Sequence, residues 1–224
     1  MDDMYTKNLN RVNEIKEKFQ KLKSLDKDFK IFGAHFHEYG FNPTLSETQI
    51  KEFEKNHSIK IPEEYRLYLE NIGDGKVGPF YGIYELNYND GNSSDLSKPF
   101  PCTQKEPFKM MDAYDTIPEN LSDDEYDEFL NNIYGQASNG LIFLATEGCG
   151  MYSVLVVNGE EYGNVWYYDL ANDAGIFPLV NPKTKKPMRF FEWLEIWLDC
   201  QIKEQETGNE SFQSYADFIA DINS

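Results

Sequence analysis

Three places in the chain hold residue types that can do chemistry. His35-x-His37-Glu38 sets two imidazoles and a carboxylate within four residues, the donor types of a divalent metal site. On a strand the two histidines would share a face, but no third and fourth ligand follows at the usual spacing, so the segment reads as structural. Asn89, Asp90, Asn92 and Asp95 carry the oxygen donors of a calcium loop. They lack the flanking helices and the twelfth-position glutamate of an EF-hand, and Asx-rich turns carry such residues routinely. Cys149, between Gly148 and Gly150, has the setting of a nucleophilic thiol exposed on a tight turn. The preferred reading is a small buried residue in a strand-to-strand turn. With Cys102 and Cys200 it makes an odd, widely spaced set without C-x-x-C, against a disulfide framework or a zinc site.

The usual catalytic signatures do not occur. There is no G-x-x-x-x-G-K-[ST], no G-x-G-x-x-G after a strand, no H-E-x-x-H and no G-x-S-x-G. All three histidines fall within the first 57 residues. Gly73, Gly75, Gly148 and Gly150 suit turns rather than phosphate binding in so acidic a setting. The chain reads as non-enzymatic, with no catalytic residue, metal or cofactor assigned.

Charge is more informative. Asp and Glu number 39 against 21 Lys and Arg, a net of −18. Between Lys109 and Lys183 there is no Lys or Arg, while thirteen acidic residues occur. Such a field repels nucleic acid and anionic membrane and attracts a basic protein. Hydrophobic residues at 40% and aromatics at 15% predict a folded globule with a core of real size. No apolar run is long enough to span a membrane and the N-terminus lacks a signal-peptide pattern, so a cytoplasmic protein is the expectation.

The elements that must carry this surface follow from periodicity. Leu9, Val12, Ile15, Phe19 and Leu22 form the apolar stripe of a helix within residues 1–30, taken as an N-terminal extension to a domain at 31–224. Ser46 with Gln49 and Ser122 with Glu125 are capping boxes, with Leu45 and Leu121 placed to staple onto Ile50 and Tyr126. Tyr126, Phe129, Leu130 and Ile133 are the expected buried face of the second helix. Pro62, Tyr65, Tyr68, Leu69 and Ile72 mark a short buried helix, stopped by left-handed Gly73 and Gly75 and followed by a strand from Tyr81 to Leu86. Residues 141–145 and 151–157 predict a hairpin, 165–168 and 176–180 two further strands, and Phe190–Ile202 a helix apolar on most sides. Phe212, Tyr215, Ala216 and Ile219 suggest a short final helix. Five or six strands joined mostly by short turns favour an α+β fold with an antiparallel twisted sheet and helices packed around it.

Several of these stretches are recognisable. The proline-led helix, Asn71-Ile72-Gly73-Asp74-Gly75, then GPFYGIYEL, LIFLATEGCGMYSVLVV, GNVWYYDL and FFEWLEIWL together resemble the SMI1/KNR4 family, the SUKH superfamily. The resemblance runs from about Leu45 to Ile202 and implies a single SUKH-like domain. It also implies that Pro62, Gly73, Gly75, Gly148 and Trp166 keep the fold rather than carry function. Many bacterial members look like immunity proteins that bind and neutralise a cognate toxin domain, which the charge suggests is a basic one such as a nuclease. Eukaryotic members look like intracellular scaffolds in cell-wall and stress signalling, and that is the alternative reading. A hydrolase centred on Cys149 or on the loop carboxylates is a third. The partner-binding residues expected are Asp123, Asp124, Asp127, Glu128, Glu160, Glu161 and Asp173, in the stretch free of basic residues. The same carboxylates also suit a solvated face at a helix start, and neither reading excludes the other.

Overall fold

Alternation along a strand sends successive side chains to opposite faces, and it divides the apolar hairpin residues between two cores. The computed structural model describes residues 2–88 and 94–209. Its sheet holds β1 (Phe108–Lys109), β2 (Leu141–Gly148), β3 (Met151–Val156), β4 (Val165–Asp169) and β5 (Gly175–Pro178). The order is β1-β5-β4-β3-β2 with every neighbouring pair antiparallel. Ile142, Leu144, Leu155, Val165, Tyr167, Phe177 and Leu179 join one core. Leu141, Phe143, Val154, Val156, Trp166, Tyr168 and Ile176 join the other.

The first core lies under three helices, α1 (Asp2–Leu25), α4 (Glu63–Asn71) and α7 (Phe190–Thr207). On α7, Phe190, Phe191, Trp193, Leu194, Trp197 and Leu198 are all buried, as an all-round apolar helix requires. Trp193 Nε1 donates to Ser153 Oγ of the sheet at 3.2 Å. The stripe Val12, Ile15, Phe19 and Leu22 packs α1 onto the same core. No side chain of its own caps α7. Glu64 of α4 does so instead, accepting the Phe191 N–H at 2.8 Å, where the helix dipole favours a carboxylate. Arg11 of α1 then bridges Glu64 at 3.0 Å and Glu195 at 2.8 Å, with its guanidinium 5.1 Å above the Phe191 ring. The three helices are thereby tied by charge as well as by apolar burial.

The remaining helices are α2 (Ala34–His37), α3 (Glu47–His57), α5 (Met110–Tyr114) and α6 (Asp123–Ala137). Ser46 and Gln49 form their capping box at the start of α3. Buried Glu54 near the end of α3 accepts from Arg66 at 2.6 Å and from the Ile61 N–H at 2.9 Å, which fixes the approach to α4.

Local expectations need correction at three points. Residues 81–86 are not a strand: Lys76 and Phe80 take positive φ (82° and 54°), and the Lys76 N–H returns to the Ile83 carbonyl at 2.7 Å. The loop joins the backbone of the sheet at the Ile83–Ala145 bridge and through the Tyr84 N–H to the Leu144 carbonyl, and does not run on as a strand. Gly73 is not left-handed; it is needed because the Asn42 carbonyl would lie 2.7 Å from a Cβ there. His35 and His37 sit on helix α2, not on a strand, so they do not share a face as expected. The expected final helix and residues 89–92 of the Asx loop lie outside the described residues.

Candidate functional site

Helix α6 begins at a complete capping box. Ser122 Oγ accepts the Glu125 N–H at 3.4 Å, and the Glu125 carboxylate accepts the Ser122 N–H at 2.9 Å. That interaction holds the Glu125 carboxyl below the usual range. Asp123, Asp124, Asp127 and Glu128 then stand exposed on the first two turns, and none makes an ion pair among the described residues. Residues 122–128 have no buried member, so the expected apolar face is displaced toward the C-terminus. Tyr126 is exposed, and the packing residues are Leu130, Ile133 and Tyr134, half-buried, with Ala137 buried. Because the first turns stand off the second core, their acids meet water rather than protein. Glu125, Glu128, Phe129, Asn131 and Asn132 line a shallow depression along this helix.

The other expected acids divide into two places. Asp173, exposed in the β4–β5 turn at φ 60°, accepts the Tyr114 hydroxyl, and that bond is the main cause of the raised Tyr114 pKa. Tyr114 also bonds Tyr134 of α6, so Asp173 is linked to the flank of that helix. Glu160 and Glu161 occupy the β3–β4 turn, at the opposite end of β4. Glu160 is exposed. Glu161 is buried, with its carboxylate accepting from Gln104 at 3.2 and 3.1 Å and from Asn164 at 2.8 Å. Its structural work is to pin the segment around Gln104 to the turn. Only Asn164 stands near it in sequence; Gln104 is 57 residues away, and no local pattern signals that contact.

The groups first considered for chemistry are set apart from one another. His37 is buried, and its Nδ1 accepts the Tyr39 N–H at 3.1 Å. Burial pushes its pKa down to about 4, against the pull of Asp26 and with His35 and Lys76 adding to the fall. His35 is exposed beside it. Cys149 is exposed at φ 52°, not buried as preferred from sequence, because three successive positive-φ residues turn its side chain out of the hairpin. Cys102 is buried, and burial pushes its thiol up to about 11. Asp95 is engaged by Ser97 and Lys98. Among the described residues, no group of three or more His, Cys, Asp or Glu is placed to hold a metal ion, and no helix is long and apolar enough to cross a membrane.

One surface feature escaped the sequence reading. Phe32 and Phe36 are 58% and 59% exposed, and Tyr81 is 37% exposed, with the three rings in contact. A usable signal was present in IFGAHFH. Ile31, Ala34 and His37 repeat at intervals of three and turn inward, which leaves Phe32 and Phe36 outside.

A family model described as SMI1 / KNR4 family (SUKH-1) matches residues 44–186, well over half of the 224. The matched region holds α3, α4, α5, α6 and the whole sheet; α1, α2 and α7 lie outside it. No curated protein and no solved structure matches the chain.

Proposed function

The chain belongs to the SMI1/KNR4 family (SUKH-1), and from that premise we propose that it is a non-catalytic immunity protein that binds and neutralises a basic toxin domain by covering its working surface. The observation that carries this reading is the set of exposed, unpaired carboxylates at Asp123, Asp124, Asp127 and Glu128, in a stretch without Lys or Arg. A nuclease, for example, must offer a cationic cleft to a polyanion. An acidic protein is steered to such a cleft and associates quickly. Occlusion then needs complementarity and no reacting group. Asp173, tied to the flank of α6 through Tyr114 and Tyr134, extends the negative field, while Glu160 stands apart on the turn that Glu161 supports.

The test is co-expression with the variable C-terminal domain of a large secreted protein encoded beside this gene. Survival of cells otherwise killed by that domain is the expected result; continued killing with soluble protein present rejects the immunity role. With the purified pair, reversing the four α6 acids to Lys should slow association by about tenfold or more and leave dissociation nearly unchanged. Salt-independent association would remove the electrostatic part and favour the scaffold reading, in which charge matters less.

A further inference from the structure

We propose that Phe32, Phe36 and Tyr81 form the contact site that grips the cationic surface of the protein partner, an inference that rests on the binding role above and assigns it a place. Singly exposed aromatics are ordinary, but a contiguous exposed cluster marks an interaction surface. Here Tyr81 stands between the other two, with ring centroids 5.1 Å from Phe32 and 5.2 Å from Phe36 in edge-on geometry. Phe80 adds a further edge-on contact to Phe32 at 6.3 Å. The rings hold one another in place, so a partner meets a preformed surface and little side-chain freedom is lost on binding.

The backbone beneath is equally fixed. Ile31, Ala34 and His37, which alternate with the two exposed Phe along the segment, are buried. Gly33, at φ 80°, lies so close to the 80–81 segment that a Cβ would stand 1.7 Å from the Phe80 carbonyl oxygen. Phe80 itself is held at φ 54°, a conformation that a bulky residue keeps only when its surroundings enforce it. At the base, the buried Asp26 carboxylate accepts the Lys30 and Ile31 N–H groups at 2.7 and 3.2 Å and the Tyr39 hydroxyl at 2.6 Å. Two segments far apart in sequence are thus locked together to present three rings to solvent.

Charge decides the occupant. A second copy of this chain, an anionic membrane and a nucleic acid would each approach a body of net charge −18 against repulsion. A cationic protein surface is drawn in, and its Arg and Lys side chains find ring faces suited to cation–π contact. The chain already uses that chemistry internally, where Arg11 lies 5.1 Å over Phe191.

The experiment titrates hexa-arginine into isotope-labelled full-length protein and follows aromatic resonances by NMR. Shifts at Phe32, Phe36 and Tyr81 are expected. The Phe32→Leu/Phe36→Leu variant, which keeps apolar bulk and loses the rings, should weaken binding about tenfold. Phe32→Tyr/Phe36→Tyr should retain it. Both side chains are more than half exposed, so an unchanged urea midpoint is expected in each variant. Shifts confined to α6 would overturn the site while leaving the binding role intact; no shift anywhere would sink the cationic partner as well. A concentration-dependent dimer abolished by the Leu variant, or binding to phosphatidylcholine/phosphatidylserine vesicles abolished by it, would equally overturn the proposal.

Discussion

The sheet is covered differently on its two faces. On one, α1, α4 and α7 bury Phe190, Phe191, Trp193 and Trp197 to 1% exposure or less, and Arg11 and Glu64 tie all three helices together. On the other, α6 gives the core one buried residue, Ala137, and three half-buried ones. The first layer has the density from which stability comes. The second leaves its first two turns in water, and there the uncompensated carboxylates stand. Burying such an acid without a partner costs far more than leaving it solvated. An anionic surface and a dense layer therefore exclude each other at one place, and the chain assigns them to opposite faces.

The sharpest way to break that comparison is to cut one side chain from each layer. Trp193→Ala removes a fully buried indole and its bond to Ser153, for a loss of roughly 4 kcal/mol in urea unfolding. Leu130→Ala on α6, half-buried at the start, should cost about 1 kcal/mol. Equal losses would mean that α6 is packed as firmly as α7, and the contrast would fall.

Acid sharpens the comparison from another side. The unfolded chain takes up a proton on His37 near the ordinary value of 6.5, the folded chain only near 4. Between these values the unfolded state binds more protons, so stability declines as pH falls from about 6.5 and the decline ends near pH 4. The full difference is on the order of 3 kcal/mol. Asp26, His35 and Lys76 are the ionisable groups around the ring, and their sequence neighbours Ile31, Ala34, Tyr39 and Val77 are buried in the first core. Glu54 adds its own acid sensitivity only lower down. Burial raises its pKa, but the bonds from Arg66 and the Ile61 N–H outweigh that and leave it below the usual carboxylate value. His37→Asn, whose side-chain oxygen can accept the Tyr39 N–H, should flatten urea stability between pH 6.5 and 5. A slope unchanged from the parent protein would put the acid response elsewhere.

These residues also show how far local sequence carries the fold. Ser46 with Gln49 and Ser122 with Glu125 form their capping boxes as expected, because both partners lie within one turn. The 141–157 hairpin and the buried closing helix follow equally from period and composition. What was not legible depends on distant partners. The two-residue strand β1 exists only through its pairing with Ile176 and Gly175. The aromatic run at 80–84 has strand composition, yet positive φ at Lys76 and Phe80 folds it into a loop against Gly33. The acids of α6 could be named from sequence, but their freedom from partners could not. Glu161 carries the same charge and is buried against Gln104.

The smallest effect tests whether the first turns of α6 respond separately from the rest. Ser46 and Ser122 have the same chemistry, and replacing either by Ala removes about 1 kcal/mol of helix capping. On α3 the cap precedes buried Ile50, Phe53 and Glu54, so Ser46→Ala should lower the global urea stability by most of that amount. On α6 no residue from Ser122 to Glu128 is buried, so those turns can open without exposing the core. Ser122→Ala should therefore speed amide exchange at Asp124 and Glu125 several-fold while moving the global midpoint by less than about 0.5 kcal/mol. A global loss matching that of Ser46→Ala would show that the acidic turns unfold only with the whole domain. The carboxylates would then stand on a rigid surface rather than on one whose edge can open alone.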